Sequence, residues 1–149
     1  MSRSFAVFLL IFFLCAPAHA ESVMQTAAKQ AIVIDYDTGT VLLEKNSDEK
    51  MPTSSMSKVM TAYMIFDALK RGQLSLDQQL MVSEKAWKME GSKMFIEVGK
   101  QIKVEDLIRG VIIQSGNDAT VVLAEGLAGS EDVFAQNMTK KAHELGMTS

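Results

Sequence analysis

The chain has 149 residues, of which 48% are hydrophobic, and its 18 acidic and 15 basic side chains give a formal net charge of -3. A mildly acidic chain offers no basic surface for nucleic acid, so nucleic-acid binding is not expected. The length suits a single domain, and the sequence contains neither repeats nor low-complexity segments.

Residues 1–20, MSRSFAVFLLIFFLCAPAHA, have the pattern of a secretory signal peptide. A basic residue, Arg3, precedes an apolar run at 5–14, and the small residues Ala18 and Ala20 form a cleavage pattern. The apolar run is short for a membrane span. We therefore expect cleavage after Ala20, export to the bacterial periplasm or cell envelope, and a mature chain of residues 21–149.

The single cysteine, Cys15, lies inside this leader segment. A lipoprotein is the alternative interpretation, but Leu14 is a poor fit to the small residue that precedes a lipidated cysteine. Cleavage after Ala20 leaves no disulfide, no reactive thiol and no cysteine-based metal site in the mature chain. Export without cysteines is more typical of a bacterial envelope protein than of a small disulfide-rich secreted domain.

The segment AIVIDYDTGTVLLEKN predicts a β-hairpin. Residues 31–34 and 41–43 favour strands, and Asp37-Thr38-Gly39-Thr40 supplies a turn with glycine where a positive φ is expected. A lone two-stranded hairpin is marginal in water and needs further strands or a helix face. Since the chain also stops at Ser149 directly after a predicted helix, we expect residues 21–149 to be the front part of a longer domain.

Four helices are predicted after the hairpin. The first, MSKVMTAYMIFDAL at 56–69, is apolar on most faces, which predicts burial on all sides, and Lys70, Arg71 and Gly72 end it. Residues 74–100 are predicted to be irregular, with turn glycines at Gly91 and Gly99. The remaining helices are predicted at 104–113, 118–127 and 131–145, the last with Ser130 as N-cap and Gly146 as its stop.

The pattern Ser-x-x-Lys occurs twice, although a chain of this size should show on the order of one match by chance. Ser47 and Lys50 lie in a charged turn that leads into no helix. Ser55 and Lys58 instead open the apolar helix, on one face and within side-chain reach of each other. The second pair is therefore the candidate for chemistry.

The start of this helix suits a nucleophile. Free N–H groups and the helix dipole favour developing negative charge near Ser55, whose own N–H can form half of an oxyanion hole. Apolar surroundings disfavour the charged form of Lys58, which suits a general base. The alternative is that Thr53 or a neighbouring serine caps the helix while Lys58 extends to solvent, and on this motif alone that interpretation is favoured.

A second motif, Ser115-Gly116-Asn117, changes this balance. A hydroxyl and a carboxamide at a tight break between apolar helices are costly to bury without partners, although a plain turn is the simpler interpretation. The hydroxyl can relay a proton, and the carboxamide can both donate to and accept from a substrate amide. With Ser55 and Lys58 they form an acyl-transfer site that needs no histidine, and His143, in a helix rich in charge, is expected to be solvated.

At this point the sequence resembles a known family. PTSSMSKVMTAYMIF and GVIIQSGNDATVVLAEGLAGS are similar to segments of the low-molecular-mass penicillin-binding proteins, in particular the serine-type D-alanyl-D-alanine carboxypeptidases of peptidase family S11. AIVIDYDTGTVLLEKN and KKAHELGMTS also resemble that family, so the likeness covers essentially all of 21–149. The serine–lysine helix start followed by Ser-Gly-Asn is the specific part of the resemblance.

The resemblance implies a fold and a set of roles. The fold would be α+β, the N-terminal portion of the β-lactamase and D,D-peptidase (penicillin-binding) fold, in which a five-stranded antiparallel sheet packs on helices. Ser55 would form the acyl-enzyme, Lys58 would be its general base, Ser115 would relay the proton to the leaving D-alanine, and Asn117 would orient the substrate amide. The expected substrate is the D-Ala-D-Ala end of the peptidoglycan pentapeptide stem, with β-lactams as acylating inhibitors and no cofactor or metal.

One feature of the family is absent from this sequence. The third motif, Lys-Thr-Gly or Lys-Ser-Gly on a later strand, does not occur, since Asp37-Thr38-Gly39 lacks the lysine. We also expect the C-terminal domain and the amphipathic anchor, which would hold such an enzyme at the inner-membrane surface, to lie outside this sequence. We therefore expect a partial catalytic domain with little turnover by itself.

Three alternatives remain open from the sequence. A class A β-lactamase normally has Ser-Asp-Asn as its second motif, and Gly116 argues against it. A D,D-endopeptidase is compatible with the same residues. A non-catalytic penicillin-binding or cell-wall-binding remnant would show no acylation at all.

Overall fold

The computed structural model describes residues 24–148, so the predicted signal peptide lies outside the described residues. Contacts between Cα atoms divide the chain into two compact units that meet at Glu49 and Lys50 in sequence. None of the helices described between residues 24 and 148 combines the length and apolar character needed to cross a bilayer.

The first unit contains the predicted hairpin. Strand β1 (Ala31–Ile34) pairs antiparallel with β2 (Val41–Lys45), with Val33 opposite Leu43 and an irregularity just after Val33. The hairpin prediction is thus confirmed, and β2 extends two residues beyond the predicted end.

A carboxylate organises the hairpin turn. The side-chain carboxylate of Asp35 accepts hydrogen bonds from the hydroxyl and the N–H of Thr38. The main-chain carbonyl of Asp35 accepts from the N–H of Gly39, which has a φ of 70°. The Thr38 hydroxyl, followed by the Thr38 N–H, lowers the pKa of Asp35 because both donors stabilise the charged carboxylate. The hydrogen bonds of the turn therefore stabilise the ionised form of Asp35.

The second unit carries most of the helical structure. A single 3₁₀ turn (Ser54–Met56) leads into α1 (Ser57–Lys70), and the elements that follow are β3 (Gln79–Met81), α2 (Glu84–Lys88), β4 (Gln101–Lys103), α3 (Val104–Gln114), α4 (Asn117–Ala128) and α5 (Glu131–Glu144). Strand β3 pairs antiparallel with β4, Leu80 opposite Ile102. The prediction of an irregular 74–100 segment was wrong where β3 and α2 form, because elements of 3 and 5 residues are too short to show a hydrophobic period.

Helix α4 is the centre of this unit. It packs against α1, α2, α3, α5 and β3, and its buried apolar side chains are small or branched: Ala119, Val121, Val122, Leu123 and Ala124. A helix in contact with so many neighbours has little freedom to shift, because close-packed interiors resist displacement. The N-terminal end of α4 is therefore a fixed point of the fold.

Helix α1 is less buried than the sequence predicted. Its buried residues, Thr61, Ile65 and Ala68, form one stripe, while Val59 and Phe66 remain 74% and 50% exposed. The prediction of burial on all sides was wrong, because α3, α4 and α5 contact the helix along that stripe.

Helix α3 approaches the segment before β4 at a glycine. A Cβ built on Gly110 would lie 1.8 Å from the Sδ atom and 2.3 Å from the Cγ atom of Met94. Only a residue without a side chain allows Met94 to pack there, so this contact sets the distance between α3 and the segment.

We expect Gly110→Ala to lower the free energy of unfolding by about 1–3 kcal/mol, because the added methyl group overpacks the contact with Met94. Urea denaturation measures this change. The control is Gln114→Ala, an exposed position on the same helix, which should change the value by less than about 0.5 kcal/mol. Equal effects of the two substitutions would contradict the close approach.

Candidate active site

The 3₁₀ turn and the first turn of α1 bring Ser55 and Lys58 together. Ser55 lies in the 3₁₀ turn and is exposed, whereas Lys58 is half-buried in α1. The Nζ atom of Lys58 donates to the Oγ atom of Ser55 at 3.3 Å. This hydrogen bond is long. Hydrogen bonds between catalytic groups are often long in the free protein and shorten when substrate binds, so the distance is compatible with proton transfer.

The alternative that these hydroxyls serve as helix caps is not supported. Thr53, the N-cap of the 3₁₀ turn, and Met56, the N-cap of α1, make no side-chain capping hydrogen bond. Ser57 donates its hydroxyl to the carbonyl of Ser54 at 2.8 Å, so it serves the backbone. Ser55 is the serine of this stretch whose hydroxyl meets Lys58.

Asn117 joins this pair from the other side of the site. Its Oδ1 atom accepts from the Nζ of Lys58 at 2.7 Å, and its Nδ2 donates to the carbonyl of Glu90 at 2.6 Å. Its backbone N–H donates to the carbonyl of Ser92 at 2.7 Å. Since Asn117 is the first residue of α4, the carboxamide is held between α1 and the segment at 90–92.

Ser115 lies on the wall of the same cleft. It ends α3 in the left-handed conformation, with a φ of 55°, and the next N–H, that of Gly116, donates to the carbonyl of Gly110. The cleft has a volume of about 310 Å³ and is lined by Ser55, Lys58 and Ser115 together with the apolar side chains of Val59, Ala62, Val111 and Ile112. The structure thus brings all four predicted site residues together, three through hydrogen bonds and Ser115 through the shared cleft.

Lys58 differs from Lys85 and Lys103 in its partners. The hydrogen bond that Lys85 donates to Glu131 raises the pKa of Lys85, and the one that Lys103 donates to Asp77 raises the pKa of Lys103, because each carboxylate stabilises the ammonium form. Within residues 24–148, the partners of the Lys58 amine are a hydroxyl and a carboxamide oxygen, and no ion pair involves it. A lysine without an anionic partner is the kind that can act as a base.

Two residues that the sequence had set aside have other roles. Ser47, of the competing Ser-x-x-Lys match, donates to the carboxylate of Glu44 at 2.6 Å. His143 is exposed on α5, with its Nδ1 atom 3.1 Å from the carbonyl oxygen of Met147. This confirms the prediction that His143 is a solvated helix residue.

Sequence reasoning missed the groups that hold Asn117 in place. The carbonyls of Glu90 and Ser92 belong to the main chain, so no side-chain pattern could reveal them. Asp118 was also missed: it is fully buried, and its carboxylate accepts from the N–H groups of Met94 at 2.9 Å and Ile96 at 3.4 Å. An acidic residue in the first turn of a helix usually lies at the surface, where its charge interacts favourably with the helix dipole. The only sequence signal for the burial of Asp118 is the apolar run that follows it.

Comparison with known proteins points to one family. The sequence model described as D-alanyl-D-alanine carboxypeptidase, peptidase S11, matches residues 17–149. The D-alanyl-D-alanine carboxypeptidase DacF of Bacillus subtilis is 44% identical over 120 residues, which are 80% of this chain and 31% of that protein. This chain therefore spans about a third of the length of that curated relative.

Solved structures agree with the sequence comparison. The D-alanyl-D-alanine carboxypeptidase DacD of Francisella tularensis superposes with a TM-score of 0.79 at 36% identity, covering 84% of this chain and 30% of that one. Penicillin-binding protein D2 of Listeria monocytogenes, solved with ampicillin bound, has a TM-score of 0.73 at 31% identity, covering 85% of this chain and 50% of that one. These likenesses confirm the α+β, penicillin-binding type of fold that the sequence predicted, although residues 24–148 contain two separate two-stranded sheets rather than one of five strands.

We expect Asn117→Ala to lower the free energy of unfolding by about 1–3 kcal/mol, because it removes the acceptor of Lys58 and the donor to the Glu90 carbonyl. Urea denaturation measures the effect. Asn137→Ala, the same change at an exposed position of α5, is the control and should alter the value by about 0.5 kcal/mol or less. A loss no greater than that of the control would show that the carboxamide does not tie α4 to its neighbours.

Proposed function

This chain belongs to the D-alanyl-D-alanine carboxypeptidase family, peptidase S11, and from that membership we propose that it provides the serine–lysine part of a serine-type D-Ala-D-Ala carboxypeptidase. The enzyme removes the terminal D-alanine from peptidoglycan pentapeptide stems through an acyl-enzyme on Ser55. The observation that carries the proposal is the amine of Lys58, held 3.3 Å from the Ser55 hydroxyl and 2.7 Å from the Asn117 carboxamide.

In the first half of the reaction the neutral amine of Lys58 takes the proton of the Ser55 hydroxyl. The Oγ atom attacks the carbonyl carbon that links the two D-alanines, and the negative charge that develops on the carbonyl oxygen is favoured near the N–H groups of the 3₁₀ turn and α1. The C–N bond then breaks, and the leaving amine of D-alanine receives the proton through the Ser115 hydroxyl. Water hydrolyses the resulting ester and restores Ser55.

Asn117 is proposed to orient the substrate amide. Its Oδ1 and Nδ2 atoms already have partners in Lys58 and the Glu90 carbonyl. A carboxamide has a second N–H and a second lone pair, so it can keep both partners and still bind a substrate amide. The internal hydrogen bonds then preset its orientation before substrate arrives, which reduces the entropy lost on binding.

The setting proposed for this reaction is the bacterial cell envelope. The leader at 1–20 would direct export to the periplasm, where the enzyme would act at the outer face of the inner membrane on cell-wall precursors. β-Lactams are proposed to acylate Ser55 as substrate mimics, and the ampicillin-bound relative from Listeria monocytogenes supports this.

A fluorescent penicillin tests the nucleophile directly in protein expressed from its complete reading frame. Labelling should map by mass spectrometry to the peptide containing Ser55, and Ser55→Ala should abolish it, because among residues 24–148 the Ser55 hydroxyl is the one that the Lys58 amine contacts. Ser57→Ala is the matched control and should keep the label, since the Ser57 hydroxyl donates to the Ser54 carbonyl. If folded wild-type protein is not labelled by the penicillin, the proposal is wrong and the chain is a non-catalytic remnant.

A second measurement separates the enzyme classes. Release of D-alanine from a diacyl-Lys-D-Ala-D-Ala peptide identifies a carboxypeptidase, and cleavage of cross-linked stems identifies an endopeptidase. Rapid hydrolysis of the penicillin without D-alanine release would instead indicate a β-lactamase.

A further inference from the structure

Asp118 is a buried charged group that the proposed reaction does not use. It has no exposed surface, and its carboxylate accepts three backbone N–H groups, those of Met94, Ile96 and Ala119. A carboxylate has only acceptor sites, which matches the three N–H donors that surround it here. Burial of a charge without such partners would be strongly unfavourable, so the three N–H groups account for its presence.

Two of these N–H groups flank a strained residue. Phe95 has a φ of 61°, and its side chain is 81% exposed. A bulky residue in the left-handed region is costly and persists only where its surroundings enforce it. The carboxylate of Asp118, which holds the N–H groups on both sides of Phe95, provides that enforcement.

The same segment holds the Asn117 side chain. The carbonyls of Glu90 and Ser92 accept from the Nδ2 and the backbone N–H of Asn117. A Cβ on Gly91 would lie 3.0 Å from Nδ2 of Asn117, so the backbone passes directly against the carboxamide. Residues 90–96, which we call the clamp segment, are thus attached to the start of α4 at both ends, by carbonyls at one end and by the Asp118 carboxylate at the other.

We propose that Asp118 is a positioning residue: it fixes the clamp segment so that the Glu90 carbonyl, which accepts from Nδ2, turns the Oδ1 atom of Asn117 toward the amine of Lys58. The Ser92 carbonyl holds the backbone N–H of the same residue. This inference rests on the proposed function for its catalytic consequence. Asp118 touches neither Ser55 nor Lys58 and acts through Asn117. Without it the clamp segment relaxes at Phe95, and the carboxamide loses the Glu90 carbonyl that fixes its orientation.

The first test is the isosteric variant Asp118→Asn in protein from the complete reading frame. The variant turns one acceptor into a donor that faces an N–H, so it should slow acylation of Ser55 by penicillin by about tenfold to a hundredfold, the range expected when a positioning group shifts by about 1 Å. Asp132→Asn, the same change at an exposed first-turn position of α5, should leave the rate unchanged. Rates are compared per folded molecule, with urea denaturation as the check.

A double-mutant cycle with Asn117→Ala separates positioning from general structural damage. If Asp118 acts through Asn117, then Asp118→Asn should slow acylation by no more than about twofold once Asn117 is alanine, because residues in one network are not additive. An equal loss in both backgrounds would overturn the proposal. So would a wild-type acylation rate in Asp118→Asn.

An NMR measurement keeps the inference independent of catalysis. Asp118→Asn should shift the side-chain amide signals of Asn117 and speed hydrogen exchange at Met94 and Ile96, whereas Asp132→Asn should not. If wild-type protein is not acylated, the proposed function fails, while these signals still decide whether Asp118 orients Asn117; unchanged signals would overturn the positioning role.

Should Asp118→Asn fail to fold, Gly91→Ala gives a second route. The new methyl group would lie about 3.0 Å from the Asn117 amide, and alanine is also strained at the φ of 79° found there, so both effects disturb the clamp segment while Asp118 stays intact. This variant should slow acylation at least about tenfold, and the loss should again disappear in the Asn117→Ala background. Normal acylation would contradict control of Asn117 by the clamp segment.

Discussion

The hydrogen bond from Lys58 to Asn117 is the contact on which the site depends. It joins residues 59 positions apart, at the N-terminal ends of α1 and α4, across a distance of 2.7 Å. Helix α4 packs against most elements of the second unit, so its first residue, Asn117, has little freedom to move. The hydrogen bond to Asn117 therefore fixes the position of the Lys58 amine. Ser55, exposed on its 3₁₀ turn, then meets an amine whose position the core has already set.

The parts of this arrangement differ in how far a sequence can predict them. Two side chains three residues apart on a helix share a face, which made Ser55 and Lys58 a candidate pair, but only the second motif at 115–117 favoured them over simple helix capping. The long helices were predicted because their periodicity extends over many residues. The hairpin followed from its turn residues. Strand β3 and helix α2 were too short for such a pattern, and the exposure of α1 depends on which neighbours reach it, a property of tertiary packing that no local pattern contains.

The shell around the site was harder still to predict. The Glu90 and Ser92 carbonyls are main-chain groups that every residue carries, so only the path of the chain makes them partners of Asn117. In the sequence, Asp118 looks like an ordinary acidic residue in the first turn of a helix. It differs from such residues only in being fully buried, which the sequence does not show. Side chains that carry out chemistry can be recognised from their residue type and spacing in the sequence. The groups that orient them can be identified only from the three-dimensional structure.

The backbone of Ser115 has a consequence for how such a site can evolve. Its left-handed φ of 55° is a conformation that glycine adopts without steric cost, so a chain selected only for resistance to unfolding would carry glycine there. Under the proposed function, in which the Ser115 hydroxyl relays a proton, serine at this helix end would represent a compromise between stability and activity. On that proposal, substitution of glycine for Ser115 during evolution would keep the fold, remove the hydroxyl, and yield a stable protein without the proposed activity.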